Sequence, residues 1–144
     1  MMEDLDFLPM SIGKLRKQMQ KRFSQELKPF DLSSAHAHNL IVLFENDGLT
    51  MKELTESVEM DKANTTRVIN DLQVKGFIHT DRIREGSRKY KVFLTEEGKK
   101  AAEIVRSAIK KMLDSIFSIL TDTEKEQYIT MLKKIITNIN NDRA

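Results

Sequence analysis

Between Thr50 and Gly76 the chain announces two helices in quick succession, and no other stretch constrains its fold so tightly. Thr50 and Glu53 form a capping box, T-x-x-E, in which hydroxyl and carboxylate each satisfy a backbone N–H left free at a helix start. The short helix this opens carries Leu54 and Val58 on its inner face. Beyond Glu59-Met60, Asp61 is a good N-cap for a second helix with Val68, Ile69 and Leu72 inward, and Gly76 supplies its stop. Two short helices joined by a tight turn make a helix-turn-helix, a weak signal alone because helical hairpins are common. The residues that follow sharpen it. Ile78 to Arg84 and Tyr90 to Leu94 read as strands, with Ile78, Thr80, Arg82 and Arg84 on one side and Tyr90, Val92 and Leu94 similarly phased. Between them Glu85-Gly86-Ser87-Arg88-Lys89 makes a polar hairpin tip with a glycine. A helix-turn-helix followed by a basic β-hairpin predicts a winged helix, whose hairpin can reach a DNA groove beside the one its helix occupies.

The flanks read as helices. Two prolines and five glycines among 144 residues leave little punctuation, which favours long ones. Leu8, Ile12, Leu15, Met19, Phe23 and Leu27 recur at steps of three and four, a narrow amphipathic stripe closed by Pro29. Ser33 or Ser34 caps a second helix through Glu45, with Ala37, Leu40, Ile41 and Phe44 inward and Asp47-Gly48 at its end. Thr95 caps a long helix to about Leu120 whose apolar residues fill more than one face. A second capping box, Thr121 with Glu124, starts the last helix, apolar at Tyr128, Ile129, Leu132, Ile135, Ile136 and Ile139. The first helix and the last two carry more apolar surface than one small winged domain needs. A homodimer is the natural outlet. The expected fold is therefore mostly α with a small β-hairpin. A winged helix-turn-helix over residues 31–95 is flanked by a helical dimerisation region over residues 1–30 and 96–144.

Composition narrows the chemistry. The absence of cysteine removes disulfides, thiolate zinc sites, cysteine nucleophiles and thiol redox sensing together. With 40% apolar and 32% charged residues the chain reads as globular, and no apolar run approaches the ~18 residues of a membrane span. The first ten residues hold Glu3, Asp4 and Asp6 and no base, the wrong sign for a signal peptide, so a cytoplasmic protein without a membrane partner is expected. The net charge of +2 says little, but its distribution says more. From Glu45 to Asp61 six acids face Lys52 alone, a net of −5; from Lys62 to Lys91 eight bases face three acids, a net of +5. A basic stretch behind an acidic one is a possible phosphate-facing surface, against the plainer reading of a solvated face of mixed charge.

At this point the residues resemble the MarR family of transcription regulators. The matching stretch runs Gly48-Leu49-Thr50-Met51-Lys52-Glu53-Leu54, Asp61-Lys62 with Thr66-Arg67, and Leu72 through Lys75-Gly76-Phe77-Ile78. It ends with Arg88, Val92 and Leu94-Thr95-Glu96-Glu97-Gly98. The resemblance implies a winged-helix dimer with its interface in the first and last two helices, a palindromic operator and, often, a small-molecule effector. It also implies an acid two places before the wing arginine. Here that position is Gly86, with Glu85 the nearest substitute.

The candidate DNA-binding residues are Lys62, Asn64, Thr65, Thr66, Arg67 and Asn70 on the second short helix and Arg84, Arg88 and Lys89 around the hairpin. Asparagine can read adenine through two hydrogen bonds, and threonine can offer its methyl to thymine. The competing reading is the plain solvent face of an amphipathic helix, with Arg67 a structural ion-pair partner. Arg88 and Lys89, at the tip, suit a minor groove or phosphate. His36 and His38 stand two apart on a predicted helix and do not face each other, so an i, i+4 metal pair is absent; no cofactor is expected. No G-x-S-x-G, P-loop or Rossmann fingerprint appears, and Glu96-Glu97 at a helix start is explained by the macrodipole, so an enzyme is not expected. The expected function is a dimeric, sequence-specific, double-stranded-DNA-binding regulator, a ligand-responsive repressor. Any effector should bind non-covalently, in the crevice between dimerisation helices and winged domain. The rival is a winged helix used as a protein–protein adaptor, which an uncharged or acidic hairpin tip would have favoured.

Overall fold

The computed structural model describes residues 3–142 and divides them into two compact units, the first ending at Met112 and the second starting at Leu113. Among the described residues the elements run α1 (Asp4–Leu27), a 3-10 turn (Lys28–Phe30), α2 (Ser34–Glu45), β1 (Leu49–Thr50) and α3 (Met51–Val58). Then follow α4 (Lys62–Val74), β2 (Ile78–Arg82), β3 (Tyr90–Leu94), α5 (Glu96–Phe117) and α6 (Asp122–Asp142). The expected mostly-α winged helix-turn-helix is the observed fold.

The helix starts fall where the caps put them. Ser33 Oγ accepts the His36 N–H and the His36 ring nitrogen Nδ1 accepts the Ser33 N–H, so an imidazole completes the box that glutamate usually completes. Thr50 Oγ1 accepts from the Glu53 N–H and Asp61 Oδ1 from the Asn64 N–H. Thr121 and Glu124 form the reciprocal pair at α6. Each cap contributes roughly 1 kcal/mol. Two boundaries differ from expectation. The first helix begins at Asp4 and runs through Pro9, earlier than its apolar stripe, and the fifth ends at Phe117 rather than Leu120.

The strands form one antiparallel sheet in the order β1-β3-β2. Register pairs Ile78 with Leu94 and Thr80 with Val92, so Ile78, Val92 and Leu94 turn together into the core. β1 pairs Leu49 with Val92 and Thr50 with Lys91, which ties the start of α3 to the hairpin. The core of the first unit gathers Leu27, Leu40, Leu43, Leu54, Ile69, Leu72, Val92 and Val105, all fully buried. Each such side chain contributes roughly 1.5–3 kcal/mol of transfer free energy. Leu43 takes the inward place expected of Ile41 and Phe44, which are half-buried. Phe44 instead lies under the Arg106 guanidinium, 4.9 Å from its ring centre, and Arg106 also pairs with Glu45, joining α5 to α2. Asn39 is buried in this core, its amide donating to the Ala35 carbonyl at 2.9 Å.

In the second unit Phe117 and Tyr128 rings sit 5.7 Å apart. Ile129, Leu132, Ile135, Ile136 and Ile139 of α6 are exposed. On α1, Leu5, Phe7, Leu8, Met10 and Ile12 are exposed as well.

Candidate nucleic-acid interface

α3 and α4 are joined through Glu59, whose left-handed backbone (φ 54°) ends the first helix, and Asp61, which caps the second. Buried Val68, Ile69 and Leu72 seat α4 on the core, leaving Lys62, Arg67 and Asn70 exposed and Asn64 and Thr66 half-buried at its surface. Thr65 is a correction to the sequence reading. It is fully buried, and its hydroxyl donates to the Asp61 carbonyl at 2.9 Å, so it supports the helix start and cannot touch a groove. Thr66 donates to the Lys62 carbonyl at 2.8 Å, which settles its hydroxyl and leaves the methyl for contact.

The hairpin is closed by the Ile83 N–H to the Lys89 carbonyl at 3.1 Å. Inside that closure the Ser87 N–H donates to the Arg84 carbonyl at 3.0 Å and Ser87 Oγ accepts the Lys89 N–H at 3.0 Å. β2 ends at Arg82, so Arg84 belongs to the tip and not to a strand. Among the described residues no ion pair joins Glu85 to Arg88; Glu85 does not replace the acid that the resemblance implies. Gly86 has φ 75°, the left-handed region that favours glycine, which accounts for glycine at that place.

α3, α4 and the hairpin enclose a cleft of about 750 Å³. Four cations line it: Lys52, Lys62, Arg88 and Lys89, with Glu56 the one carboxylate. Met51, Ile83 and Tyr90 add apolar wall. The fold thus brings Lys62 and Thr66 together with Arg88 and Lys89, while Asn64, Arg67, Asn70 and Arg84 do not line the cleft. Lys52 and Tyr90 were not anticipated. Lys52 reads in sequence as the lone base of an acidic stretch, and only its place beside the Thr50 cap, in the first turn of a helix tied to the hairpin, could have singled it out. Together these groups offer what phosphate binding needs: four cations around one open recess beside an exposed polar helix face.

The histidines serve elsewhere. His36 closes the α2 cap and presents Nε2 to Asp71 at 3.5 Å. His79 stacks on Phe93 with ring centres 5.3 Å apart, and His38 lies 6.1 Å from the Phe23 ring. Among the described residues no three His, Asp or Glu side chains are grouped to hold a metal, and no helix is long and apolar enough to cross a membrane.

Residues 32–88 match the MarR family model. Over 91% of its length the chain is 28% identical to the HTH-type transcriptional regulator YybA of Bacillus subtilis, covering 87% of that protein. A MarR transcriptional regulator from Methanosarcina mazei superposes with a TM-score of 0.87 at 25% identity, over 97% of this chain and 94% of its own. The Staphylococcus aureus MepR–DNA complex shares the fold at a TM-score of 0.77 and 23% identity, over 90% of this chain and 96% of its own. These relatives are regulators rather than enzymes. The match over the winged helix-turn-helix, the nearly full-length relatives and the fold agree: residues 32–88 carry a MarR-type winged helix-turn-helix, and the chain as a whole is similar to MarR-family transcription regulators.

Proposed function

We infer that this chain acts as a cytoplasmic homodimer that binds a palindromic DNA operator and represses transcription until a non-covalent effector releases it. The observation that carries the DNA reading is the convergence of Lys52, Lys62, Arg88 and Lys89 on one cleft beside the exposed face of α4. Residues 31–95 form the DNA-binding part. Residues 1–30 and 96–144 form the dimerisation part. Their support is the exposed apolar side chains that α1 and α6 each carry, among them Ile12 at 63% and Ile135 at 56% exposure, faces that a second copy would cover. Lys62, Thr66, Arg67, Asn70, Arg84, Arg88 and Lys89 make the contacts, α4 in the major groove and the hairpin at phosphate or minor groove. The absence of cysteine supports an effector that acts without thiol chemistry.

Selection of duplexes from a random library, followed by gel shifts across a salt series, tests this. A DNA-binding dimer enriches a twofold sequence with half-sites roughly 34–36 Å apart and loses affinity steeply with salt. A chain that enriches no duplex is the protein–protein adaptor instead. Light scattering at micromolar concentration that returned only the 16.7 kDa chain would remove the dimer.

A further inference from the structure

Asn64 links two residues that carry opposite charge. Asp61 Oδ1 accepts its backbone N–H at 2.7 Å and Asp61 Oδ2 accepts its side-chain Nδ2 at 2.9 Å. On its other side, Asn64 Oδ1 accepts from the Arg67 guanidinium at 2.6 Å. A carboxylate only accepts and a guanidinium only donates, so the amide between them has one workable orientation. Turned over, it would set acceptor against acceptor at Asp61 and donor against donor at Arg67.

Reading adenine requires an asparagine to present Oδ1 and Nδ2 together. Each already makes one bond here, which ties the amide to Asp61 and Arg67 rather than leaving it free to turn toward a base. Arg67 is differently placed. It is exposed, it stands in the second turn of α4, and one hydrogen bond leaves most of its five N–H donors free. Its guanidinium is already restrained, so part of the rotamer entropy of docking is lost before any ligand arrives. A fixed, outward guanidinium near the start of such a helix matches the two acceptors of a guanine edge.

We propose that Asn64, oriented by the Asp61 cap, is a positioning residue that aims Arg67 at a guanine in the major groove. This rests on the DNA-binding reading given above. It is tested on duplexes enriched by the wild-type full chain, with affinities measured for Asn64→Ala, Arg67→Ala and the double variant on enriched and scrambled DNA. Arg67→Ala should lose roughly 10–100-fold on the enriched duplex, and only a few-fold on scrambled DNA, where charge alone counts. Asn64→Ala should lose less than Arg67→Ala on the enriched duplex and nothing further in the Arg67→Ala background. Asp61→Ser keeps an N-cap oxygen but removes the second carboxylate contact. It should repeat the Asn64→Ala pattern at smaller size, and a circular-dichroism melt establishes that each variant is folded. Losses that add in the double variant would make Asn64 an independent base reader and overturn the proposal. Equal losses on both duplexes for Arg67→Ala would overturn it too, by making Arg67 a phosphate contact. A wild type that enriches no duplex removes the DNA reading itself, an outcome distinct from additive losses in a chain that binds.

Discussion

Gly98 lies against the carbonyl of Phe77: a Cβ at residue 98 would stand 1.9 Å from that oxygen. The contact is made where the start of α5 crosses the turn between α4 and β2. Thr95 fastens the crossing, donating its N–H to the Phe77 carbonyl at 3.0 Å and its hydroxyl to the Gly76 carbonyl at 2.7 Å. Thr95 Oγ1 in turn accepts the Gly98 N–H at 3.0 Å. One threonine therefore closes the hairpin base, caps α5 and holds the α4 terminus.

Gly98→Ala should destabilise the fold at least as much as ordinary overpacking, about 1–3 kcal/mol, because the atom in the way is backbone and cannot rotate aside. A lowered melting temperature, with the denaturant slope unchanged, is the expected result. An alanine variant as stable as wild type would mean that α5 and the turn move apart at little cost.

Acid should loosen the fold through His38. Partial burial beside the Phe23 ring holds its imidazole below the usual histidine pKa, since desolvation disfavours the charged form. A base whose pKa is lowered by folding binds more protons unfolded, so its contribution is intact above about pH 6.5 and is lost as pH falls toward the lowered value. His38→Gln should flatten the stability profile below about pH 6.5. Denaturant midpoints of variant and wild type in that range decide it, the other two histidines being common to both. The Asp31–Lys75 pair acts in a separate window. Lys75 at 2.9 Å lowers the Asp31 carboxyl pKa, and that contribution disappears only as pH falls below ~3.9.

Much of this molecule was legible because caps are local chemistry. Ser33, Thr50, Asp61 and Thr121 each mark a helix start with an oxygen that the adjacent backbone needs, and all four serve as caps. What depends on distant partners was not legible. β1 is two residues long and exists because Leu49 and Thr50 meet Val92 and Lys91, far along the chain. Thr65 and Asn39 look like surface residues by composition, yet each bonds a carbonyl four residues back and can then be buried. In the candidate site the hairpin cations and the polar face of α4 were visible as a run of bases and a helical period. The engagement of Asn64 with Asp61 and Arg67 was not, since asparagine on a helix surface has the same signature whether its amide is free or bonded.

The hairpin and the helix should fail differently, and Arg88 shows how. Its side chain lines the cleft and has no hydrogen bond or ion pair of its own among the described residues, while Gly86 two places earlier carries no acid to hold it. Such a cation orders only against an external anion, so its gain on DNA is reduced by the rotamer freedom it gives up. Arg88→Ala should therefore weaken binding to enriched and scrambled duplexes alike. It should also lower the slope of log affinity against log salt by about one, the share of a single phosphate contact. Binding curves across a salt series on both duplexes measure this. A loss confined to the enriched duplex, with the slope unchanged, would place Arg88 on a base edge in the minor groove rather than on the backbone.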